Sequence, residues 1–540
     1  MSDVTHLLAR VDKLNQLGIA LSSERDTKRL LENILLGAKD LTNADAGTMY
    51  TKTADNTLKF EIIRTDSLKI AMGGTTGVEI PFPALPLYKD GQPNLQMIAA
   101  AAALGDCTIN IPDAYEAEGF DFSGTKKFDQ MTGYRSRSFL TVPLKNHENE
   151  IIGVLQLINA KDSHTGAIKP FTLADQQLAE SLASQAAISM TNQRLIENLK
   201  NLFEAFIQTI ANAIDEKSPY TGGHCERVPV LADLLARAAA KSEVGVLKDY
   251  SPTEEDLYEL RIAAWLHDCG KVVTPEYVVD KATKLETIHD RIHTVDARFE
   301  VLRRDAEIEF LRKKVEALQA GDPARIAPLE EELKQNLERL GQDQAFIRES
   351  NLGGEFMSAD RQNRVREIGR KEWIDSDGKR HPFLTDNEIE NLNIAKGTLT
   401  PAERKIINHH VVATKNMLEK LPFPKQLSRV PEMAGSHHET MNGKGYPAGL
   451  TRDQMSIGAR IMAIADVFEA LTANDRPYKP AKTLSESLKI LGFMKKDQHV
   501  DPDLFKVFID ERVFMEYAAK YLDPKQIDTI AINKIPGYDP

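Results

Sequence analysis

Histidines and aspartates with the character of metal ligands are concentrated in two stretches of this chain that lie far apart. One stretch is His267–Lys271, which reads HDCGK, and the other is His437–Pro447, which reads HHETMNGKGYP. Imidazole and carboxylate are the groups that divalent first-row metals such as iron, manganese and zinc accept as ligands. The two stretches therefore predict two halves of one metal site.

Further candidate ligands lie in three other segments. They are GGHCERV with His224, INHHVVAT with His409 and His410, and AIADVFEALTANDRPYK with Asp466, Arg476 and Lys479. Each segment alone is weak evidence, because a single histidine in an apolar helix is more often a core residue than a ligand. Their combination in one chain favours a metal centre.

Together, and in this order, the five segments resemble the HD-GYP subgroup of the HD phosphohydrolases. The resemblance covers about residues 205–515, apart from a charged insert at about 296–395. It implies two divalent metal ions, with iron or manganese expected, and a catalytic Asp268 that bridges them. The implied ligands are His224, His267, Asp268 and Asp466 at one metal, and Asp268, His410, His437 and His438 at the other.

The resemblance also decides between neighbouring candidates. The spacing used by the family selects His410 rather than His409, and it argues against His289 and His293. Family members with a third metal carry a carboxylate four residues before the first histidine, where this chain has Tyr220. Two metals are therefore expected rather than three.

The resemblance implies cyclic di-GMP as the substrate, hydrolysed to pGpG and on to GMP. Lys271 is expected to be catalytic by neutralising a phosphate, and Arg476 and Lys479 add cations at the rim. Gly443 permits close backbone approach, and Tyr446 offers a face on which a purine can stack. These residues form the expected substrate site.

Alternatives to this reading stay open. Another cyclic dinucleotide, such as cyclic GMP-AMP, fits the same groups, and a catalytically weak, metal-containing receptor or scaffold is a reading of a different class. Asn442 stands where the family usually has aspartate. If the side chain only caps the turn, asparagine serves as well as aspartate. If the charge of the aspartate tunes the site, a lower activity is expected of this chain.

The N-terminal part of the chain predicts a different fold. Apolar residues from Val4 to Leu21 fall at helical spacing, and residues from about 28 to 170 alternate strand-like stretches with Gly, Pro and Asn. The order SFLTVPL, IIGVLQLINA and then a helix from Thr172 resembles the end of GAF domains, which are α+β sensors. Residues 109–137 resemble the GAF subset that walls a purine nucleotide pocket, although Ala160 replaces a lysine of the subset signature. A cyclic nucleotide or other small ligand, or a purely structural or dimerising role, is expected.

Between residues 172 and 217 the chain has no proline or glycine, and it predicts one helix roughly 65 Å long. Apolar residues recur at helical spacing from Leu178 to Ile214. The stripe either packs on the domains that it joins or forms a parallel coiled coil that makes a homodimer. The coiled coil is the favoured interpretation, because the N-terminus predicts a matching helix.

The predicted architecture is multidomain. Residues 1–171 form a GAF-type α+β sensor domain with an N-terminal helix, 172–217 a connecting signalling helix, and 218–540 an all-α HD-GYP catalytic domain. The insert at about 296–395 begins with two amphipathic segments split by AGDPAR, which predicts an antiparallel helical hairpin. A solvated spacer or a dimer contact is its expected role.

Bulk composition limits the partners and the setting. The 540 residues carry a net charge of −12 without a long basic run, which argues against duplex nucleic acid. Cys107, Cys225 and Cys269 lie far apart without disulfide-framework spacing, which favours a reducing cytoplasm. No stretch has the roughly 20 apolar residues that a membrane span needs.

Overall fold

The computed structural model describes residues 2–217, 223–354, 356–474 and 481–539, with side chains from Leu8 onwards. The chain divides into two compact units, Met1–Phe203 and Glu204–Pro540. No helix in these described ranges is long and apolar enough to cross a membrane.

The first unit is built on an antiparallel sheet. Its main strands follow the order β3-β2-β1-β9-β8-β7, with β4 beside β2 and β10 beside β9, while β5 and β6 form a separate small hairpin. The strands are β1 Ala44–Lys52, β2 Thr57–Thr65, β3 Ile70–Gly73, β4 Leu85–Pro86, β5 Tyr88–Lys89, β6 Gln92–Pro93, β7 Ile109–Ile111, β8 Phe139–Lys145, β9 Ile151–Lys161 and β10 Ile168–Lys169.

Helices cover the sheet of this unit. They are α1 Ser2–Ser23, α2 Thr27–Thr42, α3 Ile98–Gly105, α4 Ser123–Thr132 and the first part of α5 Leu173–Lys217. The apolar face of α2, including Ile34 and Leu35, is buried in one core with Leu155 and Leu157 of β9 and Leu182 of α5. Because side chains alternate along a strand, Leu155 and Leu157 reach the same face of the sheet. The sheet-plus-helix fold predicted for this region is confirmed.

Helix α5 confirms the long connecting helix, but its apolar stripe is not uniform. Leu178 and Leu182 are buried in the core of the first unit. Leu195 and Leu199 are 48% and 65% exposed, and Ile214 is buried again near the end of the helix. The stripe therefore has a solvent-facing middle part, which also includes Ile188, Leu202 and Phe206.

The second unit is predominantly helical in its described part. The only strands there, β11 Glu372–Ile374 and β12 Arg380–Pro382, form a short hairpin that the all-α prediction did not include. The helices are α6 His224–Ala239, α7 Glu254–Leu266, α8 Glu276–Val279, α9 Ile292–Gln319, α10 Ile326–Asn351, α11 Ala359–Gly369, α12 Asp386–Leu392, α13 Pro401–Leu418, α14 Val430–Ala434, α15 Ile457–Thr472, α16 Leu484–Lys496, α17 Pro502–Asp510 and α18 Val513–Tyr521.

Helices α9 and α10 form the predicted antiparallel hairpin. Asp296 near its base pairs with Arg348 at 2.7 Å, and Lys314 further out pairs with Glu330 at 3.1 Å. The base of the hairpin belongs to a hydrophobic core that also includes residues of α11, α12 and the segment after β12. In that core the rings of Phe299 and Phe383 lie 4.5 Å apart between centroids. The insert is therefore a packed subdomain at its base rather than a solvated spacer throughout.

The chain segments before and after this insert lie side by side. The hydroxyl of Thr398 donates to the backbone carbonyl of Lys281 at 2.8 Å. The ammonium of Lys281 donates to Glu403 and to Asn391, each at 2.8 Å. Glu403 also completes the capping box with Thr400 at the start of α13, so the same carboxylate fixes that helix and the base of the insert.

Candidate metal centre

Five elements of the second unit bring the predicted ligands together. His224 is the first residue of α6, His267 caps the end of α7 and Asp268 follows it. His410 lies within α13, and Asp466 lies within α15. His437 and His438 follow the end of α14. All these elements lie within Glu204–Pro540, so the site belongs to one compact unit.

The carboxylate of Asp268 lies between two groups of histidines. Its Oδ2 is 3.5 Å from Nε2 of His224 and 3.4 Å from Nε2 of His267. Its Oδ1 is 3.3 Å from Nε2 of His410. One oxygen thus faces each group, which is the arrangement that a carboxylate bridging two metal ions requires.

The potential donor atoms form two compact sets. Those of His224, His267 and Asp268 lie within 4.8 Å of one another, and so do those of the set His410, His437 and His438. Oδ1 of Asp466 adds to the first set, 3.3 Å from Nε2 of His224 and 3.7 Å from Nε2 of His267. Because metal–ligand bonds are about 2.0–2.2 Å long, ligands of one ion lie roughly 3 Å apart, so these sets fit a metal with small adjustments.

Backbone carbonyls orient three of the imidazoles in the same way. Each Nδ1 faces the carbonyl oxygen of the residue three positions earlier: His267 with Ala264 at 2.7 Å, His410 with Ile407 at 2.5 Å and His437 with Ala434 at 2.7 Å. A carbonyl only accepts, so Nδ1 carries the proton and the lone pair of Nε2 faces the site. Nε2 of His437 is buried and has no hydrogen-bond partner among the described residues, which fits an atom that binds a metal.

His224 is oriented by a side chain that the sequence analysis missed. Its Nδ1 contacts a carboxylate oxygen of Glu469, whose other oxygen accepts from Arg227 at 2.6 Å. Burial disfavours a charge on His224, but Glu469 and the neighbouring aspartates raise the pKa of this imidazole well above its usual value. The available signal was spacing, since Glu469 follows Asp466 by three residues on α15 and therefore lies on the same helix face.

Burial keeps His437 and His438 neutral. It lowers the pKa of His437 well below the usual range, with a contribution from His438, and lowers the pKa of His438 to about 4. Burial alone would raise the pKa of Asp268, but Lys271 and the surrounding histidines hold that pKa well below its usual value. Near neutral pH the site therefore offers neutral imidazoles at His437 and His438 and an ionised carboxylate at Asp268, whereas His224 has to release a proton when it binds a metal.

Close backbone packing lets Asp268 reach His410. A Cβ on Gly270 would lie 2.0 Å from the carbonyl oxygen of His410, so only glycine fits there. The N–H of Gly270 donates to the hydroxyl of Thr414 at 2.9 Å, and that hydroxyl donates to the carbonyl of His267 at 3.0 Å. Gly270 and Thr414 thus fix the loop against α13.

The structure describes only some of the predicted substrate residues. Nζ of Lys271 lies 2.5 Å from Oδ2 of Asp268, so its direct partner is this carboxylate, and its contact with a phosphate stays a prediction. Arg476, Lys479 and Tyr220 lie outside the described residues. His409 is exposed whereas His410 beside it is buried.

The loop that carries Tyr446 is held by a buried glutamate. Glu439 accepts from the backbone N–H groups of Ala448, Gly449 and Leu450 at 2.7, 3.1 and 2.9 Å. The ring of Tyr446 lies 4.9 Å from that of His438 between centroids, at an interplanar angle of 33°. The predicted stacking residue therefore lies directly against a candidate metal ligand.

Two glycines and an asparagine shape the same loop. Gly443 has a φ of 73°, and a Cβ on Gly445 would lie 2.5 Å from Glu439 Cα. Oδ1 of Asn442 accepts from the N–H of Lys444 at 3.1 Å, which is the turn-capping role. Nδ2 of Asn442 also donates to a backbone carbonyl, that of Asp497, at 3.1 Å. An aspartate could not make that second bond, because an ionised carboxylate has no donor.

Comparisons with known proteins agree with this division of the chain. Residues 26–190 match the GAF domain family, and residues 221–338 and 386–504 match two HD domain families. An HD domain implies dependence on a divalent metal, and the ligand sets described above lie within the two HD matches.

Related proteins include cyclic dinucleotide phosphodiesterases. The chain is 25% identical over 310 residues to 3'3'-cGAMP-specific phosphodiesterase 3 of Vibrio cholerae, covering 56% of this chain and 39% of that protein. It is 34% identical over 140 residues to a probable cyclic di-GMP phosphodiesterase of the same organism, covering 25% and 31%. It is 24% identical over 270 residues to the cyclic di-GMP phosphodiesterase of Thermotoga maritima, covering 46% and 68%. The chain thus spans less than half the length of both Vibrio proteins, and it combines an N-terminal GAF domain with an HD domain.

Proposed function

We propose that this chain is a metal-dependent phosphodiesterase that hydrolyses cyclic di-GMP to pGpG and GMP. The observation that carries the proposal is the position of Asp268, with one oxygen toward His224 and His267 and the other toward His410. The names of relatives from Vibrio cholerae and Thermotoga maritima supply the substrate class. The two aligned ligand sets make a hydrolytic reaction at phosphorus the best-supported chemistry.

Two divalent metal ions, iron or manganese, are the proposed cofactors. His224, His267 and Asp466 would hold one, while His410, His437 and His438 would hold the other, with Asp268 shared. When bound, such a pair supplies Lewis-acid stabilisation of phosphate oxygens and a water activated for in-line attack. The mixed nitrogen and oxygen donor set is compatible with either metal.

The side chains of the protein prepare the site for this chemistry. Lys271 offsets the negative charge of Asp268 and is close enough to the ligands to meet a phosphate oxygen after a small side-chain movement. Tyr446 presents an aromatic ring beside His438 on which a purine can stack. Glu439 holds the backbone that follows this ring, so the ring position is set before substrate arrives.

Cyclic GMP-AMP is the second candidate substrate. A relative whose alignment covers more than half of this chain, 56%, is named as specific for 3'3'-cGAMP. Both dinucleotides present two phosphodiesters and two purines, so the metal ligands alone do not select between them. Selection would come from contacts to the purine edges.

The deciding experiment is an assay of purified protein, stripped of metal and then loaded with manganese or ferrous iron under anaerobic conditions. Cyclic di-GMP, 3'3'-cGAMP and cyclic mononucleotides would each be offered, and linear products separated by chromatography. Hydrolysis of cyclic di-GMP that depends on added metal supports the proposal. Faster hydrolysis of 3'3'-cGAMP selects the second candidate. Binding without turnover of any dinucleotide would make the protein a receptor or scaffold.

A regulatory role is proposed for the GAF domain, with a cyclic nucleotide or other small molecule as its ligand. Asp45 is buried there and accepts from Tyr134 at 2.8 Å and from the Ser67 hydroxyl at 2.6 Å, and it pairs with Lys161. Tyr134 belongs to the segment 109–137 whose resemblance to nucleotide-binding GAF domains motivates the proposal. This polar cluster is the place where a ligand that competes for Asp45 would act.

A homodimer through α5 completes the proposal. Leu195, Leu199, Leu202 and Phe206 follow four- and three-residue steps on one helix and are between 48% and 65% exposed. Such spacing is that of a coiled-coil seam, and Asn192 continues it at a position where asparagine favours pairing in register. The proposed domain limits are 1–171, 172–217 and 218–540. A cytoplasmic location is also proposed, because the three cysteines are free thiols.

A further inference from the structure

The last turn of α5 carries two charged residues that bind the backbone of the metal-ligand segments. Nζ of Lys217 donates to the carbonyl oxygens of Lys271, Val272 and Thr274 at 3.1, 2.6 and 2.7 Å. An ammonium group has three N–H donors, and all of them are used here. Asp215, two residues earlier, binds a different segment.

The contacts of Lys217 fix the loop that follows Asp268. Residues Cys269–Val273 form a 3-10 turn, and Asp268 is the residue directly before it. The carbonyls at the C-terminal end of such a turn carry partial negative charge, so a buried or half-buried cation there is stabilising. Lys217 therefore anchors the turn on which the bridging carboxylate and Lys271 are mounted.

The contact of Asp215 fixes the start of α6. Its Oδ2 accepts from the backbone N–H of Cys225 at 3.2 Å, and Cys225 is the residue next to His224. An anion at a helix N-terminus satisfies an N–H that the helix leaves unpaired and interacts favourably with the helix dipole. Asp215 itself is only 7% exposed, so the contact is shielded from solvent.

This end of α5 is packed as well as hydrogen-bonded. Ile207, Ala211 and Ile214 are buried on the second unit, whereas Glu216 in the same last turn is exposed. Asp215 and Lys217 are two residues apart, which separates their side chains by about 200° around the helix axis. The helix end thus lies between the two ligand segments and holds one on each side.

We infer that Asp215 and Lys217 are positioning residues that couple α5 to the geometry of the metal centre. Because they project from nearly opposite sides, rotation of α5 moves the segment of His224 and the segment of Asp268 in opposite directions. A rotation of the helix is therefore converted into a change in the spacing of the first ligand set. The same helix runs unbroken from Leu173, which lies in the GAF match, so a regulatory input has a continuous route. The inference rests on the metal centre of the proposed function.

The test compares Lys217→Met and Asp215→Ala with Glu216→Gln as the matched control in the same helical turn. Two quantities are measured on the full chain: the affinity of the metal-free protein for Mn²⁺, and backbone hydrogen exchange without metal. Each positioning variant is expected to bind Mn²⁺ about tenfold more weakly, the loss typical when a group that orients metal ligands is removed. Exchange should rise over 269–274 in Lys217→Met and over 224–228 in Asp215→Ala, and in neither segment of the control.

Affinities within about twofold of the control, together with unchanged exchange in both segments, would overturn the inference. If Lys217→Met or Asp215→Ala does not fold, Lys217→Arg and Asp215→Asn replace them. These keep a donor and an acceptor, so they should give a smaller loss than tenfold but more than the control, and equality with the control counts against the inference.

The proposed function has a separate outcome in the same samples. Wild-type protein that binds Mn²⁺ and hydrolyses no cyclic dinucleotide would refute the activity while the Mn²⁺ affinities still decide the coupling. Active wild-type protein with unchanged affinities and exchange in the variants would refute the coupling alone.

Discussion

Glu469 contacts Nδ1 of His224 across 245 positions of sequence, and it orients an imidazole that lies buried at the start of α6. The other imidazoles whose Nδ1 contacts are described above are held by carbonyls of their own helical turns. A carboxylate holds its imidazole with a charge as well as a hydrogen bond, and it raises the basicity of the ligating nitrogen.

Replacing Glu469 with glutamine should therefore weaken metal binding selectively at the first ligand set. The variant keeps the size of the side chain but removes the charge that faces His224 and Arg227. We expect the metal affinity to fall by about 10- to 100-fold, as for other groups that orient metal ligands. Titration of metal-free protein with Mn²⁺ measures this, and two equally tight sites in the variant would contradict it.

Asp268→Ala should abolish occupancy of both metal positions and all hydrolysis. Among the described residues, Asp268 is the carboxylate with oxygens toward both histidine groups, and its loss leaves the half-buried Lys271 beside the site without its counter-charge. Elemental analysis after metal loading is the measurement. Two metals per chain in this variant would rule out the bridging role, and a melting curve that stays cooperative shows that the protein still folds.

Asn442→Asp should fail to raise activity, although it introduces the residue that the family usually has. The change keeps the acceptor toward Lys444 but turns the donor toward the carbonyl of Asp497 into an acceptor. Two facing acceptors repel, so we expect a loss of about 1 kcal/mol in the free energy of unfolding. Thermal melting and turnover are measured together, and a more active variant of equal stability would show that the charge tunes the site.

The double variant Leu195→Glu and Leu199→Glu tests the proposed dimer. In a parallel coiled coil these glutamates would face their counterparts in the second chain and cost several kcal/mol, whereas on a solvated helix they would cost little. We expect a monomer by light scattering, with a lost or altered response to GAF ligands. Helix α5 already contains Glu197 and Glu204, so a glutamate side chain by itself is compatible with this helix. A dimer with unchanged turnover would make the helix only a tether.

Lys284 gives the second unit a specific dependence of stability on pH. This lysine is 3% exposed, donates to the carbonyl of Leu392 at 3.1 Å, and burial, with a smaller effect of Arg361, lowers its pKa to about 8. Below pH 8 it is charged in both the folded and the unfolded state, so the folded protein bears the cost of the buried charge. As the pH rises from about 8 to about 10.4 the folded state loses the proton first, and that cost disappears.

The stability of the wild-type protein should therefore rise relative to Lys284→Met between pH 8 and pH 10. The methionine variant has no group to titrate, so it removes the pH effects of all other residues from the comparison. Urea unfolding of both proteins at pH 7 and pH 10 measures the difference. A difference that is the same at both pH values would mean that Lys284 has an ordinary pKa.

The clustering of the candidate metal ligands could be predicted because the five motifs together resemble a known family. Asp268, His410 and His437 are separated by an insert and several helices, and the structure brings them together as the resemblance implied. The orientation of each ring was not predictable, since it depends on which carbonyl lies near Nδ1. Glu469 was missed because a glutamate on a helix is usually exposed to solvent and is not expected to contact a metal ligand.

The limits of the fold prediction have equally local causes. The stripe on α5 reads as continuous in sequence, but exposure depends on where the neighbouring elements end, and Leu199 lies beyond both packed regions. The hairpin of β11 and β12 was hidden in a charged segment, although Asp377 and Gly378 provide a turn signal between its strands. Hydrophobic periodicity alone does not detect a hairpin this short and polar.

Because Thr398 closes directly on Lys281, the chain leaves and re-enters the metal-binding region at almost the same point. The residues between them form a long insertion, and its length does not constrain the positions of the ligands before and after it. Because loop-closure entropy grows only with the logarithm of length, such an insertion tolerates shortening, extension or replacement. The turn near Gly321, between α9 and α10, is therefore a suitable site at which to attach a label or a second protein without disturbing the metal ligands.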